Sequence, residues 1–453
     1  MKVTVQSSKL VKPAYDGNAS CNSLFAKADA VPLSVFDKAN FDQHIPLLFF
    51  FRPPAPPGAV LEAGLAKALA EYREWDGRRG ADAEGNPVVV LNDAGARFVQ
   101  ATADATAPGA QQDPTPEMLS LLPNSGGDEE LLMIQVTRFT CGSFAVGLSF
   151  LHLVADGHAV FNFLGTWGQA TRGVAVDPVP VHDRVSLFKP RDPPRVEFEH
   201  WGVEFKTRQE NAGYTARQQN VLHPENDDDD EVVVTMVHFT RDLISTLKSQ
   251  ASTGAPPPSG RSYTTLQCVV AHLWRCMTKA RGLSGSQITR AHIAVNGRRR
   301  IRSSPRVPDG YTGNVVLWAR PAMSVDDLMR RPLRETMEVV SREISGTDER
   351  YFRSFVDFAS SGVVEELGLV TAADAAETVL SPDVEVDSLV GLPIHGADFG
   401  TGTPVFCMPG YLPVEGIVFV VPSLPGDDGG VYAYVALFSR AVNAFKKCCY
   451  SLA

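Results

Sequence analysis

The residues of this chain best suited to chemistry stand together in Ser149-Phe150-Leu151-His152-Leu153-Val154-Ala155-Asp156-Gly157-His158. The apolar run before His152 predicts a buried strand, and Asp156-Gly157 predicts a turn into the next helix. A histidine at the point where a strand leaves the core can project its imidazole into a cleft while its backbone stays rigid. With a reference pKa of about 6.5 the ring is mostly neutral near neutrality and can take a proton from an attacking nucleophile. The same spacing also fits a hydrogen-bonded core histidine beside a turn aspartate. It fits a metal site too, with His152, Asp156 and His158 as ligands, but no fourth ligand at zinc-like spacing and no HExxH accompany them. Ser149 is not a hydrolase nucleophile, because Gly147 and Leu151 do not make a GxSxG elbow around it.

A second segment is Leu392-Pro393-Ile394-His395-Gly396-Ala397-Asp398-Phe399-Gly400-Thr401-Gly402. Its glycines are not spaced as GxGxxG, and it leads to Pro404 rather than into a helix, which excludes a dinucleotide fingerprint. It reads as a tight loop whose glycines let backbone approach something closely.

Several elements must position these segments. Leu61, Leu65, Leu69 and Tyr72 recur at helical spacing and predict a helix over Ala59–Trp75. Val88–Leu91, the turn Asn92-Asp93-Ala94-Gly95 and Arg97–Val99 predict a hairpin. A longer hairpin is predicted from Leu131–Phe139, turning at Cys141-Gly142 and returning through Ser143–Leu151. Phe161, Leu164 and Trp167 mark the apolar face of the helix that follows. The second half repeats the pattern with a strand over Val232–Phe239, a helix over Tyr263–Arg281 and a strand over Ala291–Val295. Between the halves the chain carries Pro178, Pro180, Pro190, Pro193 and Pro194 and ends in Asp227-Asp228-Asp229-Asp230-Glu231. That composition suits a solvated crossover. The expected division is therefore residues 1–176, a crossover over 177–231, and residues 232–453.

Composition narrows the class. Hydrophobic residues make up 44% and charged residues 21% of 453 residues, as in soluble globular proteins of two domains. The apolar run Ile45–Phe51 falls far short of the roughly 20 residues a spanning helix needs, and no leader pattern opens the chain, so a cytoplasmic protein is expected. Seven cysteines without a CxxC pair argue against a zinc ribbon or a disulfide scaffold. A net charge of -10 disfavours nucleic acid as a partner. Against that background Arg298, Arg299, Arg300, Arg302 and Arg306 form one basic cluster.

Taken together, His152-to-Gly157 as HxxxDG and Asp398-Phe399-Gly400-Thr401-Gly402 as a DFGWG-like loop resemble the BAHD acyltransferase family of plants. The likeness runs over nearly the whole chain, through Leu33-Ser34-Val35-Phe36-Asp37, Ala271-His272-Leu273-Trp274-Arg275, Asn296-Gly297-Arg298-Arg299-Arg300 and Gly310-Tyr311-Thr312-Gly313-Asn314. The resemblance implies an α/β fold of two chloramphenicol-acetyltransferase-like domains with mixed sheets and a channel between them. It implies acyl-CoA as a co-substrate, no permanently bound cofactor, and a monomer. It makes His152 the general base that deprotonates the acceptor as it attacks the thioester, without an acyl-enzyme. It gives Asp156, Gly157, Asp398, Phe399 and Gly400 structural roles, with Arg298 as the candidate ion-pair partner of Asp156. The chain departs from the family at Thr401, which stands where the loop has tryptophan, and at Leu389, which follows Ser388 where many members have tryptophan. Both changes imply an altered channel volume.

Coenzyme A carries phosphates, which an acidic protein must meet with local positive charge. Arg261, Ser262, Thr264 and Thr265, ahead of the Trp274 helix, match family positions at the nucleotide end, although such hydroxyls also serve simply as helix caps. For the acceptor, Asp383, Glu385 and Asp387 alternate with Val384 and Val386, so a strand here puts three carboxylates on one face. That face is either solvated or, through Glu385 and Asp387 beside Leu389 and Thr401, the cation-binding wall of the acceptor channel. In this the chain resembles the grass hydroxycinnamoyl-CoA:amine N-acyltransferases, whose acceptors include agmatine, putrescine, tryptamine and tyramine. O-acylation of an alcohol such as shikimate, and an inactive binding protein, are the alternatives.

Overall fold

The computed structural model of the chain describes residues 1–15, 29–109, 112–124, 130–208, 231–252, 262–372, 379–423 and 427–451. Two large mixed sheets organise it. The first has six strands in the order Val3–Val11, Ala96–Ala103, Leu132–Arg138, Phe144–Leu151, His44–Phe51 and Phe406–Pro409. The second runs Val232–Phe239, Val431–Phe438, Ile417–Pro422, Val384–Ser388, Ile288–Asn296 and Val316–Ala319, with Ala322–Ser324 pairing at the start of Ile288–Asn296.

The hairpin predicted around Cys141-Gly142 forms, with Leu132–Arg138 antiparallel to Phe144–Leu151. All eight residues of Phe144–Leu151 are buried, as an unbroken apolar run in a strand with neighbours on both sides requires. The helix Gly157–Arg172 follows, starting from Asp156, whose side chain accepts from Ala159 N, and ending at Gly173 in a left-handed conformation. The predicted helices over Ala59–Trp75 and Tyr263–Arg281 form as Gly58–Glu71 and Thr265–Ala280.

The hairpin expected over residues 88–99 does not form. Pro87–Val90 pairs with Ala30–Pro32 and Arg78–Ala81 in a small separate sheet, whereas Ala96–Ala103 joins the first large sheet. Asp93 in the turn is anchored by Tyr15 and Arg73 and leads the chain from one sheet to the other.

The two halves interpenetrate. Phe406–Pro409 comes from the C-terminal half, yet it pairs with His44–Phe51 at the edge of the first sheet, where Phe406 stacks on Phe50 at 4.2 Å. Period two explains how the second sheet serves both cores. On Ile417–Pro422, Val418 and Val420 face the second core while Phe419 and Val421 face the first. The acidic run Asp227–Asp230 lies outside the described residues. No helix among the described residues is long and apolar enough to cross a membrane.

Candidate active site

A cavity of about 600 Å³ runs between the two sheets, and His152 is part of its wall. The strand ending at Leu151 delivers the residue, and the backbone around it is tied down on both sides. His152 N donates to Gln43 O at 2.9 Å, and His152 O accepts from Asn314 Nδ2 at 2.9 Å. The ring packs edge-on to Phe41, with centroids 5.7 Å apart. Burial lowers the imidazole pKa, opposed by the Asp156 carboxylate, the residue's own carbonyl, Asp37 and Asn314. The ring is therefore neutral near pH 7 and can accept a proton.

Asp156 also borders the cavity, but its carboxylate is taken up by the protein itself. One oxygen, Oδ2, accepts from Arg298 Nη1 at 2.6 Å and Val315 N at 2.9 Å, while Oδ1 accepts from Ala159 N at 3.0 Å. Arg298 also donates to the carbonyls of Tyr311 and Gly313. Burial opposes ionisation of Asp156, but the Arg298 charge and these N–H donors outweigh it and hold the carboxyl below its usual range. The pair joins the start of the Gly157–Arg172 helix to the far sheet. Gly157 itself lies at the cavity wall, beside Leu392.

The Asp398 loop lies further along that helix, against Gly168 and Arg172. Phe399 is buried against Trp167 and Phe51, at 4.5 and 5.4 Å between ring centroids. Asp398 Oδ1 accepts from Gly400 N and Gly402 N, and its Oδ2 meets Arg172 at 3.3 Å. Gly400 has φ of 99°, and a β-carbon on Gly168 would come within 2.5 Å of Asp398 O, so both glycines answer geometry. Thr401 belongs to this loop and does not line the channel. The expectation that Thr401 belongs to the acceptor channel does not match that lining, since the loop packs beside Gly168 and Arg172, at the end of the helix remote from Gly157. Leu389 does line it.

The strand Val384–Ser388 separates the three carboxylates. Val384 and Val386 enter the second core, and Glu385 and Asp387 line the cavity. Asp383 just precedes the strand and is taken up by Arg290 N at 2.8 Å and His292 at 3.6 Å. Burial pushes the Asp387 carboxyl up to about 6. A side cavity shares Phe41, Trp318 and Glu385 with the channel and is lined by Glu204, His292 and Asp383 as well.

Lys206 and Arg320 line the side cavity with Glu385, and further positive charge lies along the channel wall. Glu385 is level with His292 on the neighbouring strand, whereas Arg299, Arg300 and Arg302 line the cavity past that strand's end at Asn296. Of the residues proposed from sequence for the coenzyme, Arg261 lies outside the described residues. Ser262, Thr264 and Thr265 are not in the cavity wall; Thr264 caps its helix in a capping box with Gln267, and Thr265 Oγ1 accepts from Lys248. Leu266, one residue on, does reach the wall. Sequence reasoning passed over Phe41, Trp318 and Asn314 as individual residues, although Asn314 ends the Gly310–Asn314 stretch and Phe41 closely follows Asp37. Among the described residues, three potential metal ligands converge at His238, Asp427 and Asp428, outside the channel wall.

The model of the Transferase family matches residues 1–452. The chain belongs to that family, the BAHD acyltransferases. It is 55% identical to agmatine coumaroyltransferase-1 of Hordeum vulgare over all of both chains, and 43% identical to putrescine hydroxycinnamoyltransferase 3 of Oryza sativa subsp. japonica, again over all of both. Among solved structures, F. graminearum TRI101 complexed with coenzyme A and deoxynivalenol superposes with a TM-score of 0.71 at 15% identity, covering 92% of this chain and 96% of that one. The fold is thus the pair of chloramphenicol-acetyltransferase-like units of BAHD acyltransferases, and the chain is an acyltransferase.

Proposed function

We propose that this chain transfers a hydroxycinnamoyl or related aromatic acyl group from a coenzyme A thioester to an amine, with His152 as general base. One observation carries the reading: a neutral histidine opens on a channel whose wall is acidic at Glu385 and Asp387 and basic at Arg299, Arg300 and Arg302. Arginines suit the phosphates of the coenzyme, and carboxylates suit a cationic acceptor.

The acceptor reaches the channel as an ammonium ion and sheds one proton before it reacts. The neutral nitrogen then attacks the thioester carbonyl, and His152 takes its second proton as the C–N bond forms. The C–S bond breaks, and the imidazolium returns the proton to the departing thiolate, so that amide and free coenzyme A leave and the histidine is neutral again. The coenzyme is a co-substrate, and no permanently bound cofactor is needed. Agmatine and putrescine, named as substrates of the relatives, keep a second charge after the reacting nitrogen is neutral, and Glu385 or Asp387 can hold it. The same proposal places the enzyme in the cytosol as a monomer and divides it into residues 1–176, 177–231 and 232–453, with Phe406–Pro409 completing the first sheet.

The test is to incubate the protein with p-coumaroyl-CoA and a mixed panel of amines and alcohols and to identify products by mass. Amides are expected, and His152→Ala should lose roughly a hundred- to ten-thousand-fold in turnover while remaining folded. Esters in place of amides, or more than about a tenth of wild-type turnover in the variant, contradict the reading.

A further inference from the structure

The face of the second sheet that borders the channel changes character from strand to strand. Ile417–Pro422 presents Ile417 and Phe419 there, and Val384–Ser388 presents Glu385 and Asp387 at the same two levels. The next strand, Ile288–Asn296, turns Ala291, Ile293 and Val295 into the second core, which leaves His292, Ala294 and Asn296 on the channel side. The edge strand Val316–Ala319 presents Val316 and Trp318. Ala294 and Trp318 are directly opposite each other. On its other side Ile293 is level with Val386, so Ala294 stands beside Asp387.

A methyl group between two larger neighbours leaves a slot. Asp387 and Trp318 are two strands apart, roughly 10 Å. Ala294 is the half-buried floor between them, and all three residues line the channel. Phe41, from the first half of the chain, joins the slot to the base. Its ring is edge-on to Trp318 at 5.9 Å and edge-on to His152 at 5.7 Å between centroids.

A carboxylate and an indole on facing walls suit an organic cation. The carboxylate accepts from its N–H donors, and the indole ring attracts positive charge. A guanidinium is flat and weakly hydrated and stacks on aromatic rings, whereas an ammonium is a compact, strongly hydrated point charge. We propose that Ala294 is a specificity-determining residue for the acceptor: its small side chain opens a slot between Asp387 and Trp318 that takes a distal guanidinium while the amine at the other end meets His152.

The other charges near the slot lie to either side of it along the same strand. Two residues earlier, His292 is level with Glu385 and faces the side cavity that Glu204, Lys206, Arg320 and Asp383 also line. Two residues later, Asn296 leads to Arg299, Arg300 and Arg302. Ala294 is thus at the boundary between the acidic and basic stretches of the wall, beside the last carboxylate.

This inference rests on the reading of the chain as an amine N-acyltransferase with His152 as base. The test measures kcat/KM with p-coumaroyl-CoA for agmatine, putrescine and 1-aminobutane, which has the same four-carbon chain without a distal charge. Wild type should favour agmatine over 1-aminobutane by tenfold or more, with putrescine between them. Ala294→Val, a change that strands accommodate readily, puts methyl groups into the slot and should lower the agmatine to 1-aminobutane ratio roughly tenfold, through KM for agmatine. Trp318→Leu should bring agmatine down to the level of putrescine. A wild-type ratio near one, or putrescine above agmatine, overturns the proposal without any variant. So does a wild-type ratio that survives in Ala294→Val or an agmatine preference over putrescine that survives in Trp318→Leu. If wild type forms no amide with any of the three, the reading of the function has failed and the slot with it. If amides form and the ratios survive both variants, only the slot falls.

Discussion

Asp156 and Asp387 are the same residue type in walls of the same channel, yet their surroundings treat them in opposite ways. Asp156 has one guanidinium and two backbone N–H groups on its two oxygens, and its pKa is held down. Among the described residues Asp387 has no such cage, and burial pushes its pKa up to about 6. A carboxylate whose acceptor sites are filled by the protein is a joint. One that the fold leaves with its charge uncompensated is suited to a ligand that brings the compensation.

The largest expected effect separates these two roles. Removing Arg298 leaves the Asp156 carboxylate buried without its counter-charge, so Arg298→Ala should lose about 3–5 kcal/mol of stability, and Asp156→Ala a comparable amount. In a denaturation double-mutant cycle the pair should be strongly non-additive, the double variant being less damaged than the sum. An absence of coupling removes the joint.

The pH dependence of stability should differ in sign at the two sites. At Asp156 the folded pKa is depressed, so its contribution is full above the unfolded value of about 3.9 and is lost as pH falls below it. At Asp387 the folded pKa is raised, so the group favours folding while protonated, and stability declines as pH rises from about 4 to 6. Asp387→Asn should abolish that decline and be as stable as wild type or more so at pH 7, with a difference on the order of a kcal/mol. Urea titrations at pH 4, 5, 6 and 7 measure it. An Asp387→Asn protein that is clearly less stable at pH 7 would mean that a fixed partner holds the carboxylate.

The smallest expected effect concerns the loop. Thr401→Trp restores the aromatic residue of the family motif, but outside the channel, so relative kcat/KM values across amines should change by less than about threefold. A changed acceptor preference would return that loop to the channel account.

How far the sequence spoke follows from whether a feature is local. The Leu132–Leu151 hairpin, the Val232–Phe239 strand and the Gly157–Arg172 helix were legible because apolar period and turn residues are written in contiguous segments. So was the alternation that turns Glu385 and Asp387 away from Val384 and Val386. The hairpin expected at 88–99 was not legible, since Asp93 is fixed by Tyr15 and Arg73, which no local pattern announces. The edge strand Phe406–Pro409 crosses between the halves, and Asp37 meets Asn314 across 277 residues of chain. Thr264 read equally well as a coenzyme contact or a cap, and only the packed helix displays the capping box.

The account turns on a channel that joins a neutral base to an acidic wall, and acceptor selectivity tests that join most directly. The measurement is kcat/KM with p-coumaroyl-CoA for agmatine, putrescine, tryptamine and tyramine, in wild type, Glu385→Gln and Asp387→Asn. Agmatine or putrescine should be preferred, and at least one variant should lose roughly tenfold or more with these dications while tryptamine and tyramine change little. A wild-type preference for tryptamine or tyramine, or unchanged agmatine kinetics in both variants, would contradict it.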